Sequence, residues 1–185
     1  MAEEMYRSQS EYGPRGHFMC TAVSYVLAHA YLRGSGEAPP ERFFTPEVID
    51  RAMRACHDLF EHRNVTAPLM LHDMQAWFPL AHPEIRSNEV AGLTTGGPVS
   101  LMTPAMGVLP LTDLVDCMRV AKGKKKMALV VTYGGHTRLL VTPEGGGAVW
   151  LIDPLHPRPR VLYHTAAQLA LPSAPEEFAG VLLTR

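Results

Sequence analysis

In the first two thirds of the chain, apolar residues recur at intervals of three and four, which is the spacing of an amphipathic helix. The clearest case begins at Cys20 and stops before Gly34, a residue that commonly ends helices. Another follows Thr45 and Pro46, a capping residue and a first-turn proline. The predicted helices cover residues 20–32, 46–63, 71–78 and 113–121, the last of them capped by Thr112.

The last third of the chain changes to apolar, β-branched runs that are separated by glycine-rich turns, a pattern typical of antiparallel strands. Between residues 79 and 110 Gly, Thr, Pro and Met predominate, which indicates loops with a single hint of an edge strand over 88–90. A helical N-terminal half before a strand-rich C-terminal half indicates an α+β fold. The predicted strands cover residues 127–133, 136–142, 148–153, 161–163 and 178–184, with a helical turn over 164–171.

The composition is that of a globular protein, and it narrows the range of functions. The 185 residues are 46% hydrophobic and 19% charged, so we expect one folded domain spanning residues 1–185. A formal net charge of -1 gives no electrostatic reason to expect nucleic acid or an anionic membrane as a partner. No stretch approaches the roughly 20 apolar residues of a membrane span, and the acidic N-terminus lacks signal-peptide features. We therefore expect an intracellular protein that is monomeric as an isolated domain.

The three cysteines suit reduced thiols rather than a disulfide framework, because their number is odd and their spacing wide. Cys56 falls on the apolar stripe of the second helix and Cys117 beside that of the fourth, so both are predicted to pack in the core. Cys20 differs, since the unpaired N–H groups and dipole at a helix start stabilise a thiolate. From its helix alone, Cys20 is equally compatible with a nucleophile and with a buried structural thiol.

A nucleophilic thiol needs a base and a carboxylate that orients the base, and the strand-rich segment offers both. A hairpin that turns near Gly145 places His136 nearly opposite Asp153 or Pro154, with neighbouring Cβ atoms about 5 Å apart. His156 lies three residues beyond Asp153 and competes for the role of base if the chain bends at the intervening proline. Both histidines remain candidates.

A third component is a donor for the oxyanion, and Gln9, eleven residues before Cys20, is a candidate for presenting its side-chain amide there. Taken alone, a glutamine at this position is more often a surface polar residue than an oxyanion donor. No metal or other cofactor is predicted, because the histidines of residues 57–72 lack paired ligand spacing and have no CxxC partner.

Two segments resemble the ubiquitin- and NEDD8-specific cysteine protease domain at the N-terminus of herpesvirus large tegument proteins. Residues 9–21, QSEYGPRGHFMCT, are similar to that family's glutamine, Phe/Tyr-Gly-Pro turn and nucleophile block. Residues 149–154, VWLIDP, with the trailing His156 and Arg158, are similar to its strand-end Asp-x-His-x-Arg signature, although two residues rather than one separate Asp153 from His156. The resemblance loosely spans the whole chain.

The resemblance implies a papain-like fold in which Cys20 is the nucleophile, Gln9 the oxyanion donor, Asp153 the orienting acid and His156 the base. The order Cys20, His136, Asp153 is instead similar to the wider papain superfamily, in which the histidine leads one strand and the orienting residue ends the next. The family motif thus favours His156, whereas hairpin geometry favours His136.

The activity implied by the resemblance is that of an isopeptidase, a deubiquitinase or deneddylase whose partners are ubiquitin, NEDD8 and their conjugates. Its implied location is the host cytoplasm and nucleus and the virion tegument. Two alternatives stay open: a papain-like peptidase or acyltransferase of other specificity, and a catalytically inactive module that binds ubiquitin or another protein partner. The extra residue between Asp153 and His156 motivates the inactive module.

Overall fold

A computed structural model of the chain describes residues 5–34, 38–77, 84–95, 110–120, 125–162, 168–169 and 171–185. The fold is α+β, as expected, and its described part comprises short and long helices and a six-stranded antiparallel sheet. After a 3-10 helix (Gln9–Tyr12) the helices are α1 (Gly13–Gly16), α2 (Cys20–Arg33), α3 (Pro40–Phe43), α4 (Pro46–His62), α5 (Leu71–Trp77) and α6 (Leu111–Val120). The strands are β1 (Arg86–Leu93), β2 (Met127–Tyr133), β3 (His136–Thr142), β4 (Val149–Asp153), β5 (His156–Leu162) and β6 (Glu177–Thr184).

The strands pair in the order β1-β6-β2-β3-β4-β5. β2, β3 and β4 form the expected antiparallel meander, and β1 lies at an edge of the sheet, as the hint over 88–90 indicates. The strand predicted over 161–163 is too short, because a turn at Pro154 and Leu155 reverses the chain directly into β5. β5 contains two prolines, which an edge strand tolerates.

Residues 9–16, which precede Cys20, form the 3-10 helix and α1. The start predicted for the fourth helix differs from the structure. Helix α6 begins at Leu111, so Thr112 lies inside the helix and does not cap it. Most of the helical turn predicted over 164–171, together with Phe78, lies outside the described residues.

The core has two parts, one on each face of the sheet. Strand residues alternate between faces, so Leu139 and Val141 belong to the cluster that includes residues of α2 and α4, whereas Leu140 belongs to the cluster that includes residues of α6. Cys56 is fully buried, as predicted, but Cys117 is exposed. The core position predicted for Cys117 is wrong because the buried face of α6 consists of Leu111, Val115 and Met118.

Helix α2 lies against β2 and β3, and this packing positions its first residues beside the start of β3. The hydroxyl oxygens of Thr21 on α2 and Thr137 on β3 are 2.8 Å apart, although 116 residues separate them in sequence. None of the helices within the described ranges is long and apolar enough to cross a membrane.

Candidate active site

The segment that precedes Cys20 is held against α4 by two side chains. The Tyr12 hydroxyl donates a hydrogen bond to the carboxylate of Asp50, and the Arg15 guanidinium donates one to the carbonyl oxygen of Phe60 at 2.6 Å. These contacts fix both the 3-10 helix and α1, and the chain then enters α2 without a side-chain cap at its start. The approach to Cys20 is therefore an ordered part of the fold.

Gln9 lies beside the turn that connects β4 to β5. Its backbone N–H donates to the carbonyl oxygen of Pro154 at 2.9 Å, which joins the N-terminal segment to the residue after Asp153. The residue is only 2% exposed, and its side-chain Oε1 accepts no hydrogen bond from the described part of the protein. Gln9 is thus a buried residue at the end of β4, and its role as oxyanion donor stays a prediction.

Gly16 permits the close approach that places Gln9. A Cβ atom at Gly16 would lie 2.0 Å from the carbonyl oxygen of Gln9, so we expect Gly16→Ala to displace the 3-10 helix. Overpacking of this kind typically lowers the free energy of unfolding by about 1–3 kcal/mol, which urea denaturation measures. Gly34→Ala is a matched control, because its Cβ would approach no atom more closely than a ring carbon of Phe43 at 3.3 Å. Equal losses in the two variants would contradict the expected displacement.

Cys20 is the first residue of α2 and is 7% exposed. Its thiol interacts with the His136 side chain and with both the backbone and the hydroxyl of Thr137. These contacts come from the first two residues of β3, which the packing of α2 brings to the start of the helix. The sequence-predicted thiol and one of its two candidate bases are therefore neighbours.

His136 is also held by Asp153. The distance from His136 Nε2 to Asp153 Oδ1 is 2.6 Å, and the two side chains are 13% and 14% exposed. Because Nε2 faces the carboxylate, Nδ1 is the ring nitrogen that remains for the Cys20 thiol. The structure thus arranges Cys20, His136 and Asp153 in series, with the imidazole between the thiol and the carboxylate.

The register of the β3–β4 hairpin differs slightly from the expected one. Leu139 pairs with Ile152, so Arg138 is the residue that comes level with Asp153. His136 reaches the carboxylate from two residues further along the strand. The connection over 143–148 is longer than the two-residue turns that fix a register, and sequence alone therefore left the pairing undetermined.

His156, the other candidate base, is the first residue of β5 and pairs with Asp153 across the β4–β5 turn. Its side chain is exposed to solvent. The carboxylate oxygen Oδ1 of Asp153 already accepts hydrogen bonds from His136 and from the backbone N–H of Leu155, the latter at 2.9 Å. The contacts of Asp153 therefore favour His136 as its partner.

Arg138 is a site residue that the sequence did not reveal. Its Nε lies 3.3 Å from Asp153 Oδ2, and its guanidinium stacks over the ring of Tyr133 at 4.3 Å from the centroid. The two oxygens of Asp153 are thus held by different partners, which restricts rotation of the carboxylate. A signal was available, since residues two apart on a strand point to the same face, and Arg138 follows His136 by two.

The ionisation of the three groups reflects these contacts. Burial opposes ionisation of Cys20, but hydrogen bonds from His136 and Thr137 and the charge of His136 together lower the pKa of the thiol to about 7. Burial likewise opposes the charge on His136, yet hydrogen bonds to Asp153 and Cys20 raise its pKa to about 9. Burial raises the pKa of Asp153, but hydrogen bonds from His136 and Leu155 and nearby positive charge outweigh it and lower the pKa. A thiolate–imidazolium pair is therefore favoured near neutral pH.

A different group of side chains on α4 has the composition of a cation site. In the parts of the chain that the structure describes, His57, Asp58 and Glu61 each offer one ligand atom, and these atoms lie within 4.8 Å of one another. The two carboxylates are exposed, and such groups are common on protein surfaces without a metal. The absence of a metal or cofactor from the mechanism stays a prediction.

A thiol beside an imidazole whose other ring nitrogen is held by a half-buried carboxylate is the arrangement of cysteine hydrolases with a Cys-His-Asp triad. No protein-family model and no curated protein sequence matches the chain. Among solved structures, the fold is similar to the ubiquitin-specific protease of murine cytomegalovirus tegument protein M48, crystallised in complex with a ubiquitin-based suicide substrate. The TM-score is 0.57 at 18% sequence identity, over 96% of this chain and 82% of the viral one. The expected resemblance to a herpesvirus tegument protease domain is thereby confirmed for the fold.

Proposed function

We propose that the protein is a cysteine isopeptidase that removes ubiquitin, NEDD8 or both from their conjugates. The observation that carries this proposal is the series of Cys20, His136 and Asp153 at the start of a buried helix, in which His136 is hydrogen-bonded to Asp153 and interacts with the thiol. The likeness of the fold to a protease crystallised with a ubiquitin-based suicide substrate supports ubiquitin as the modifier. By the same proposal, the protein acts in the host cytoplasm and nucleus and in the virion tegument.

In the acylation step, the Cys20 thiolate attacks the carbonyl carbon of the modifier's C-terminal glycine. A carbon–sulfur bond forms, and the carbonyl electron pair moves onto oxygen, where the side-chain amide of Gln9 is the proposed hydrogen-bond donor. When this intermediate collapses, the isopeptide carbon–nitrogen bond breaks. The His136 imidazolium then gives its Nδ1 proton to the departing lysine amine, which leaves neutral.

In the deacylation step, neutral His136 takes a proton from a water molecule that attacks the thioester carbonyl. The carbon–sulfur bond breaks, the modifier leaves with a free carboxyl group, and the thiolate–imidazolium pair is restored. Asp153 holds the imidazole in the tautomer that directs Nδ1 to the sulfur, and it stabilises the positive ring. Arg138 keeps the carboxylate ionised and limits its rotation.

A bell-shaped pH dependence is expected for hydrolysis of a ubiquitin C-terminal amide. Below the thiol pKa of about 7 the sulfur is protonated, and above the imidazole pKa of about 9 the ring has lost the proton that the leaving amine needs. The profile of kcat/KM should therefore rise near pH 7 and fall near pH 9. An acidic limb at the ordinary thiol value, above pH 8, would contradict a stabilised thiolate.

Cleavage of isopeptide-linked reporters tests the proposal. Lysine-containing fluorescent peptides joined to ubiquitin or to NEDD8 should be hydrolysed at a rate that depends on Cys20, and comparison of the two reporters gives the preference. Cys20→Ala is the variant to compare, and Cys117→Ser is its control because Cys117 is the exposed cysteine. Loss of turnover in Cys20→Ala alone is the expected result. No turnover of either reporter by the unmodified chain would contradict the proposal.

A further inference from the structure

Three buried or half-buried threonine hydroxyls lie directly beside the candidate site. The hydroxyl oxygen of Thr137 is 2.8 Å from that of Thr21 and 2.7 Å from that of Thr132. Thr137 is 1% exposed and Thr21 is 4% exposed, so water has little access to this group. The three hydroxyls connect the first turn of α2 to β2 and β3.

The positions of these threonines follow from the positions of the reacting residues. Thr21 comes directly after Cys20, and Thr137 comes directly after His136. Because successive strand residues point to opposite faces, Thr137 faces α2, while Thr132 pairs with it in the β2–β3 register. Thr137 therefore lies at the point where the helix that carries the thiol meets the strand that carries the base.

Thr137 also contacts the sulfur, through its backbone and through its hydroxyl. A threonine hydroxyl has one proton to donate and two lone pairs that accept. With Thr21 and Thr132 both donating to Thr137, the remaining proton of Thr137 is directed at Cys20. A thiolate has no proton to donate, so with Cys20 ionised this assignment of the protons satisfies all three contacts of the Thr137 hydroxyl.

We propose that Thr137 is a further catalytic residue, which donates hydrogen bonds from its N–H and its hydroxyl to the Cys20 thiolate while Thr21 and Thr132 direct that hydroxyl. This deepens the proposed function, since it rests on Cys20 as the nucleophile, but it is independent of the modifier. The titratable group that faces the same sulfur is His136, with Asp153 and Arg138 behind it. Thr137 thus contributes to thiolate formation without itself changing charge.

The test is the pH dependence of Cys20 alkylation by iodoacetamide, followed by mass spectrometry of the Cys20 peptide in a Cys117→Ser background. Thr137→Val keeps the shape and the backbone N–H but removes the hydroxyl donor, so the thiolate loses stabilisation. The midpoint of the alkylation profile should move upward by about one pH unit. Thr137→Ser restores a hydroxyl and should return the midpoint to that of the unmodified chain.

Thr142→Val is the matched control, because Thr142 is a fully buried threonine of the same strand whose hydroxyl has no hydrogen-bond partner within the described residues. The midpoint of the Cys20 alkylation profile should not move in Thr142→Val. An unchanged midpoint in folded Thr137→Val, with circular dichroism and urea denaturation as the folding check, would overturn the proposal. The assay contains no ubiquitin, so a failed reporter assay would reject the proposed function and leave this result intact.

Thr21→Val tests whether the Thr137 hydroxyl donates to the Cys20 thiolate, even if Thr137→Val does not fold. With Thr21 as a donor to Thr137, its loss leaves the Thr137 hydroxyl less well directed, and the midpoint should rise by less than it does in Thr137→Val. If Thr137 instead donates to Thr21, the Thr21→Val substitution would release the Thr137 hydroxyl proton to bond to the sulfur. The midpoint of the Cys20 alkylation profile would then fall. A fall or an unchanged midpoint would therefore overturn the proposal.

Discussion

Replacement of His136 by alanine is expected to lower kcat/KM for ubiquitin amide hydrolysis by about 10³-fold. The variant loses the proton donor for the leaving amine and the base that activates water in deacylation. It also loses the positive charge and hydrogen bond that hold the Cys20 thiolate, so the pKa of Cys20 should rise as well. Steady-state hydrolysis and the pH profile of Cys20 alkylation measure the two effects separately.

His156→Ala is the matched control for this prediction. His156 is exposed at the start of β5, and Asp153 is already bonded to His136, so kcat/KM should change by no more than about twofold. The reverse outcome, a large loss in His156→Ala and little in His136→Ala, would contradict the assignment. It would identify the histidine favoured by the family motif as the base.

Asp153→Ala should produce the second large effect, a loss of about 10²-fold in kcat/KM. The carboxylate supplies hydrogen-bonding and charge that raise the pKa of His136 to about 9. Without it the imidazole loses its fixed orientation, and its pKa falls towards the ordinary value. The basic limb of the pH profile should therefore move to lower pH, which a full pH–rate profile detects.

Asp153→Asn separates the two contributions of this side chain. The amide oxygen can still accept the hydrogen bond from His136, so orientation is largely kept, but the negative charge is removed. We expect a smaller loss of activity than in Asp153→Ala, together with a similar downward shift of the basic limb. An Asp153→Ala variant with an unchanged kcat/KM and an unchanged basic limb would show that Asp153 neither orients His136 nor stabilises its charge.

Local sequence patterns were sufficient for the helix that carries Cys20 and for the three strands of the meander. Cys20 begins an amphipathic stretch, and the start of β3 at His136 follows two glycines that are both in the left-handed region. Such signals are local, because a helix start and a tight turn depend on a few neighbouring residues. The α+β class followed from the order of these elements.

The contacts within the site depend on long-range packing, and these the sequence did not reveal. Arg138 meets Asp153 only because of a register that the 143–148 connection does not specify. Thr21 and Thr137 meet across 116 residues, and their hydrogen bond exists only once α2 is packed on the sheet. Sequence alone therefore left two histidines as candidates for the base, and the contacts of Asp153 in the folded chain distinguish them.

The central claim is that Cys20 is a nucleophile whose reactivity depends on His136. The most direct test is the reaction of the protein with ubiquitin that carries a C-terminal electrophile, with the product analysed by intact and peptide mass spectrometry. We expect one covalent adduct, located at Cys20, which His156→Ala forms readily, His136→Ala forms slowly and Cys20→Ala does not form. No adduct at any cysteine, or an adduct that persists in Cys20→Ala, would contradict the central claim.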